Sequence, residues 1–254
     1  MRWLSTAALA LVALSVAGGC GGDEAGTAAQ EPRLVVFAAA SMTKALGSCS
    51  ARFPDAEVRL SFGGSDKLAA QIRQGVEPDV FAAASVGLPR ELHRAALLER
   101  PVRFASNELA VVVPRESPIR SLDELARRGV SLAIGAPSVP VGAYTRRLLG
   151  RLRPATGAAL LANVRSEEPD VNGVVGKLTQ GAVGAGVVYK TDVQAADGAL
   201  RSLRLSPDTR TPVTYAAGVG SGTYQPRLAR AYVNDLAHGH CHRVLRAAGF
   251  GPPA

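Results

Sequence analysis

Short apolar runs that suit β-strands alternate with amphipathic helical segments along most of the sequence. The first run, residues 35–37 (VVF), is β-branched and aromatic, as expected for a buried strand. Directly after it, apolar residues at positions 42, 45, 46, 49 and 53 follow the one-face spacing of a helix. Repeated alternation predicts an α/β fold with mixed, mostly parallel sheets and helices on both faces. The roughly 220 residues after the N-terminal segment exceed what one such sheet normally needs, which predicts two lobes.

The N-terminal segment has the order of a bacterial export signal. Arg2 gives a positive start, residues 3–17 are apolar and helix-prone, and Cys20 follows two glycines. This predicts a signal peptide over residues 1–19, too short to span a membrane. Cys20 after small residues resembles the lipobox of bacterial lipoproteins, which implies lipidation of Cys20 and a tether over residues 20–32. The alternatives are an uncleaved anchor and plain secretion. We expect the protein at the cell membrane, lipid-anchored on the extracytoplasmic side.

The charge of the chain does not indicate a nucleic-acid partner. Lys and Arg number 29 against 21 Asp and Glu, a formal net charge of +8. These basic residues are spread out, without a basic tract or aromatic residues interleaved with basic ones. We therefore interpret the charge as a solvated basic surface.

No enzyme motif is present in the sequence. The G-x-S-x-G and H-E-x-x-H patterns are missing, and the glycines match neither a P-loop nor a dinucleotide fingerprint. The sequence thus predicts a protein that is not an enzyme and needs no cofactor.

Two cysteines remain once Cys20 is set aside. Cys49 lies on the apolar face of the first predicted helix, and Cys241 on that of the last. In an exported protein such a pair can form a disulfide, or the two can stay separate buried thiols.

Four places combine the end of a predicted strand, small residues and a predicted helix start. They are residues 39–41, 61–65, 139–142 and 168–171. Ser41 and Ser65 are predicted as N-caps, and the first N–H groups of each helix favour an anion. Each start alone is an ordinary cap. If the four ends converge, they supply N–H donors and two hydroxyls that could hold a dianion without a cation.

Several motifs together resemble the periplasmic molybdate-binding protein (ModA) family. They run in the family's order along nearly the whole chain after the tether: residues 37–41 (FAAAS), 61–65 (SFGGS), 68–72 (LAAQI), 75–81 (GVEPDVF), 139–144 (VPVGAY), 170–171 (DV), 186–192 (GVVYKTD) and 245–250. The resemblance implies a type II periplasmic-binding-protein fold with a ligand cleft between two α/β lobes. Lobe I would comprise residues 33–110 plus 213–252, and lobe II residues 111–212.

The resemblance also implies a set of oxyanion-binding residues. Ser41 and Ser65 would each bind through the side-chain hydroxyl and the backbone N–H. Val141 and Val171 would donate backbone N–H groups, and Tyr189 its hydroxyl. The family often has alanine where Val141 stands, but the donor there is main chain. Asp66 would repel a dianion if it faced the cleft, and we expect it to point to solvent beside Lys67.

The function implied by the resemblance is capture of molybdate or tungstate outside the cytoplasm. The protein would act as a monomer and deliver the anion to an ABC permease with its ATPase subunit, and the bound oxyanion would be its metal-containing ligand. One alternative is a receptor for another tetrahedral oxyanion such as sulfate. Another is a metal-binding lipoprotein that uses His238 and His242, although Gly239 interrupts the helix on which they would share a face.

Overall fold

Strands and helices alternate through the part of the chain described by the computed structural model, residues 32–127 and 130–253. The predicted signal peptide, Cys20 and all but the last residue of the predicted tether lie outside the described residues. The strands are β1 (Arg33–Ala39), β2 (Glu57–Gly63), β3 (Val80–Ala83), β4 (Val102–Pro114), β5 (Leu132–Gly135), β6 (Val164–Glu168), β7 (Ala185–Tyr189), β8 (Leu200–Ser202) and β9 (Pro212–Val219).

Helices follow most of the strands, as the periodicity predicts. They are α1 (Thr43–Ser50), α2 (Ser65–Arg73), α3 (Gly87–Arg94), α4 (Leu122–Leu125), α5 (Pro140–Gly150), α6 (Pro154–Ala162), α7 (Val171–Thr179), α8 (Lys190–Ala195), α9 (Pro226–His238) and α10 (His240–Ala247). Helices α6 and α8 were not predicted. Short 3-10 turns lie at Ala40–Met42 and Pro207–Thr209. Proline begins α5, α6 and α9, where its missing N–H removes no helical hydrogen bond.

The strands form one curled sheet in the order β2-β1-β3-β9-β4-β7-β5-β6, with β8 paired to β4. Four pairings among the described strands are parallel and four are antiparallel. The sheet is thus mixed in equal parts, and the prediction of mostly parallel pairing was wrong in that detail. The antiparallel pairings all involve β4 or β9, the strands through which the chain passes from one part of the sheet to the other.

Strand β4 belongs to both parts of the sheet. Its first part, Val102 to Glu108, pairs with β9, and Leu109 to Val112 pair with β7. We call β1, β2, β3 and β9 with the first part of β4 the first half of the sheet. The second half is the rest of β4 with β5, β6, β7 and β8. The predicted lobe boundary after residue 110 falls inside β4, within a compact unit that spans residues 31–254.

The apolar core follows this sheet through both halves. Val111, Val112 and Val113 in the centre of β4 are fully buried. Against the first half, Cys49 of α1 and Cys241 of α10 are buried and joined by a disulfide. The two thiols whose state the sequence left open are therefore paired, and the bond connects an early helix to the last one.

Candidate functional site

The carboxyl ends of the parallel strands from both halves meet around one small cavity. Parallel pairing places Ala39 beside Gly63 in the first half, and Gly135 beside Glu168 in the second. In α/β sheets, the crevice outside such strand ends is where ligands bind. The cavity is lined by Ala39, Ala40, Ser41, Gly63, Gly64, Ser65, Ala84, Val139, Pro140, Val141, Asp170, Val171 and Tyr189. All five predicted oxyanion-binding residues are in this set.

Ser41 lies in the 3-10 turn Ala40–Met42 that joins β1 to α1. The prediction of Ser41 as an N-cap was wrong, because the tight turn comes before the helix and Met42 occupies the cap position of α1. The turn directs the Ser41 hydroxyl towards the crossing strands, where its Oγ lies 2.9 Å from the Tyr215 hydroxyl. Ser41 is half-buried at the cavity wall.

Ser65 is the first residue of α2, and Gly64 occupies the N-cap position. The predicted N-cap at Ser65 was therefore one residue too late. Ser65 is almost completely buried, and its Oγ accepts a hydrogen bond of 3.1 Å from the backbone N–H of Ala84, just past the end of β3. Since that N–H can only donate, the Ser65 hydroxyl hydrogen is left for another acceptor.

Two helices of the second half begin at the cavity. Val141 is the second residue of α5, and Val171 is the first residue of α7. N–H groups in the first turn of a helix have no acceptor within the helix. The N-cap of α7 is Asp170, whose Oδ1 accepts from Gly173 N–H at 3.1 Å. The sequence pattern predicted this start correctly.

Tyr189 contributes a buried hydroxyl from the end of β7. The side chain is 2% exposed, and its OH has no hydrogen-bond partner. Burial raises the pKa of Tyr189 well above its ordinary value, so the hydroxyl keeps its hydrogen. The backbone N–H of Tyr189 donates to Asp192 Oδ2 at 2.9 Å. Burial raises the pKa of Asp192 to about 7, despite that hydrogen bond.

The cavity is rich in donors and has no cation in its wall. None of the described residues that line it is Lys or Arg, so an anion there would be held by hydroxyls, N–H groups and helix dipoles. The wall also contains the Asp170 carboxylate, whose Oδ1 accepts the capping bond from Gly173 N–H. Asp66 differs from expectation: it is half-buried, and its Oδ1 is buried without a hydrogen-bond partner.

The size of the cavity restricts its ligand to a small ion. About 20 Å³ is open to the centre of a water-sized sphere, a little more than one water molecule requires. Pockets for larger organic ligands are at least ten times this size, on the order of 300 Å³ or more. In this state the cavity therefore suits a compact ion better than an amino acid or a sugar.

Close approach of the two halves requires glycine at position 64. A Cβ atom there would lie 2.4 Å from the carbonyl oxygen of Pro169 and 3.2 Å from Val139 Cγ1. The sequence analysis noted the glycine pair for its access to a ligand. In the structure, Gly64 faces backbone of the opposite half.

The two histidines of the alternative metal site lie on different helices. His238 ends α9 and His242 lies on α10, with Gly239 between the two helices. Among the described residues, no group of three or more His, Cys, Asp or Glu is placed to hold a metal ion. None of the helices in the described ranges has the length and apolar character needed to cross a bilayer.

A buried polar chain behind Ser41 was missed by sequence reasoning. Tyr215 on β9 contacts Ser41, and Asn107 on β4 lies within hydrogen-bond distance of both Tyr215 and Thr191. These residues are far apart in sequence and belong to no motif. A weak signal exists only in Tyr215, a tyrosine in an otherwise small and apolar strand.

Comparison with known proteins agrees with this geometry. A small cavity between two parts of a mixed α/β sheet is typical of a solute-binding protein. Residues 34–251 match the family described as bacterial extracellular solute-binding protein. The chain is also 34% identical, over 100% of both sequences, to the molybdate-binding protein ModA of Mycobacterium tuberculosis. It therefore belongs to the ModA family of bacterial extracellular solute-binding proteins.

Solved structures show the same fold. The periplasmic molybdate-binding protein of Azotobacter vinelandii superposes with a TM-score of 0.77 at 19% identity, over 87% of this chain and 100% of that chain. The sulfate-binding protein SubI from Mycobacterium tuberculosis gives 0.75 at 16% identity, over 87% of each chain. At such identities the likeness concerns the fold alone, and it confirms the predicted type II periplasmic-binding-protein fold.

Proposed function

We propose that this protein captures molybdate or tungstate outside the cytoplasm and delivers the anion to an ABC permease. The observation that carries the proposal is a small cavity walled by hydrogen-bond donors, with the buried Tyr189 hydroxyl left without a partner. Ser41, Ser65 and Tyr189 would donate hydroxyls, and Val141 and Val171 backbone N–H groups. The name of the full-length ModA relative supports the same ligand.

The donor set favours a fully ionised tetrahedral anion. Molybdate and tungstate carry no proton at neutral pH, so each oxygen can accept from the wall. Phosphate is often monoprotonated there, and its O–H would be buried without an acceptor, at a cost of about 1–3 kcal/mol. Sulfate has the right charge but shorter bonds, so donors held at fixed positions would be left too far away.

Binding would proceed by closure of the two halves around the dehydrated anion, as two lobes, without covalent chemistry or a cofactor. The protein would act as a monomer, held to the membrane by a lipid on Cys20. The permease and its ATPase subunit would be its partners, as in other ABC systems.

A ligand panel tests the proposal directly. Thermal unfolding is measured with molybdate, tungstate, sulfate, phosphate and chromate, because a ligand that binds the folded state raises the melting temperature. We expect large shifts with molybdate and tungstate. A shift with sulfate but neither of these would instead favour the sulfate receptor, and stabilisation by zinc alone would favour the histidines.

Substitution of the two serines tests the site. Ser41→Ala and Ser65→Ala should each weaken molybdate binding about 10- to 100-fold, as expected for a lost hydrogen bond to a charged group. Ser48→Ala on the exposed face of α1 is the matched control, since its Oγ bonds only the Ala45 carbonyl, 2.9 Å away. Calorimetry that shows undiminished affinity in both cavity variants would refute the site.

A further inference from the structure

The hydrogen bond between Ser41 and Tyr215 has a definite direction. Tyr215 is fully buried, and burial raises its pKa far above the ordinary value, so its hydroxyl carries a hydrogen that needs an acceptor. The polar atoms that bond this hydroxyl are Ser41 Oγ at 2.9 Å and Asn107 Nδ2 at 3.5 Å. An amide nitrogen donates and does not accept. Tyr215 therefore donates to Ser41.

The orientation of the Asn107 amide is set by the backbone. Its Oδ1 accepts from the N–H of Glu108 at 2.9 Å, a group that can only donate. The Asn107 Nδ2 therefore faces the other way, where it donates to Thr191 Oγ1 at 2.8 Å and towards the Tyr215 hydroxyl. The chain of donors runs from Asn107 through Tyr215 to Ser41, and it ends at the cavity.

We propose that Tyr215 is a specificity-determining positioning residue, which holds the Ser41 hydroxyl as a donor to the bound oxyanion. The proposal rests on the proposed function and adds a residue that does not line the cavity. Because Ser41 Oγ already accepts from Tyr215, its own hydrogen is free to point at a ligand oxygen. The backbone N–H of Ala84 does the same for Ser65.

This arrangement makes the cavity selective for an unprotonated oxyanion over a protonated one. With both serine hydrogens aimed into the cavity, an unprotonated ligand oxygen accepts from each of them, whereas a protonated ligand oxygen is a poorer acceptor and sets its own hydrogen against that of the serine. If Tyr215 is removed, the Ser41 hydroxyl can rotate and accept from the ligand instead. Loss of the Tyr215 hydroxyl therefore weakens binding of an unprotonated oxyanion. It also lowers the free-energy cost of binding a protonated one.

The test is a double-mutant cycle on molybdate affinity, measured by calorimetry. Tyr215→Phe should weaken binding about tenfold in the presence of Ser41. In the Ser41→Ala background the same change should have no further effect, because Tyr215 acts through that hydroxyl. Phosphate should compete with molybdate about tenfold better in Tyr215→Phe than in the unsubstituted protein.

Tyr232→Phe is the matched control. Tyr232 is also fully buried, and its hydroxyl bonds a serine, Ser50, at 2.6 Å, but neither residue lines the cavity. The Tyr232→Phe variant should have a lower melting temperature, as Tyr215→Phe should. Its molybdate affinity and its competition by phosphate should be unchanged.

Three results would overturn the positioning role while the proposed function stands. They are unchanged molybdate affinity in Tyr215→Phe, an equal loss in both Ser41 backgrounds, and a loss without better competition by phosphate. If the unsubstituted protein binds no oxyanion in the ligand panel, the proposed function and the positioning role fail together.

Discussion

At the residue scale, the cavity keeps donors that would be more stable with a partner. A buried polar atom without a hydrogen bond costs about 1–3 kcal/mol, so few survive in a protein unless they serve a purpose. The Tyr189 hydroxyl is such an atom. Its position in the wall agrees with the role proposed for it, since a bound oxyanion would supply the acceptor.

Tyr189→Phe should therefore change stability and binding in opposite directions. Without ligand, the free energy of unfolding of the variant should equal that of the unsubstituted protein or exceed it by about 1 kcal/mol. The reason is that an unpaired buried hydroxyl is removed. Its molybdate affinity should fall about tenfold or more, because a donor is lost. Denaturant unfolding and calorimetry measure the two quantities.

Tyr232→Phe gives the contrasting pattern. Its hydroxyl has a partner in Ser50, so the substitution should lower stability and leave affinity unchanged. Equal losses of stability in both variants would show that the Tyr189 hydroxyl is satisfied in the free protein, contrary to the role assigned to it.

At the element scale, the sequence predicted the strand-to-helix connections better than their details. All four predicted helix starts reach the cavity, since apolar periodicity and small residues mark where strands end. The cap positions at Ser41 and Ser65 were wrong because a 3-10 turn and a glycine cap leave no distinct pattern. Helix α6 was missed, since its residues are apolar nearly all round and show no helical face.

The polar chain behind Ser41 could not be predicted from local patterns at all. Ser41 and Tyr215 are separated by 174 positions, and Asn107 and Tyr215 by 108. Their contact depends on the register of β4 against β9, in which Ala105 lies opposite Tyr215. Motifs describe neighbours along the chain, whereas this contact arises from strand pairing.

Gly64, in the loop between β2 and α2, lies where the two halves of the sheet approach closely enough to exclude a side chain. Gly64→Ala should weaken molybdate binding about 5- to 100-fold, because overpacking at this contact costs about 1–3 kcal/mol. The backbone is not the obstacle, since φ is −59° and ψ is 129° at Gly64, angles that alanine adopts readily.

Gly47→Ala on α1 is the control. A Cβ atom at Gly47 would meet nothing within 4 Å, and Gly47 does not line the cavity. Titration of both variants by calorimetry separates the two positions. Equal affinities would mean that the Gly64 backbone and the Pro169 carbonyl do not need to meet for binding.

At the scale of the whole molecule, the disulfide holds together parts of the chain that are distant in sequence. Cys49 and Cys241 are 192 positions apart, so the bond closes a loop that includes most of the fold. A crosslink of this kind stabilises mainly by restricting the unfolded chain. Neither cysteine lines the cavity.

Replacing both cysteines by alanine should thus lower stability without changing the affinity for the ligand. We expect the free energy of unfolding to fall by about 2–5 kcal/mol, measured in denaturant, with molybdate affinity within about twofold of the original. Reduction of the unsubstituted protein should reproduce the effect. A loss of affinity as large as that of Ser41→Ala would place the disulfide in the binding mechanism.

Strand β4 also restricts where the chain can be divided when halves are exchanged between relatives. One continuous strand supplies an edge to each half, so cutting the chain at its midpoint removes a pairing partner from both β9 and β7. The halves are therefore not interchangeable modules. A chimera that combines halves of two relatives has to exchange β4 whole and preserve its length, because one inserted residue would turn every later side chain to the opposite face of the sheet.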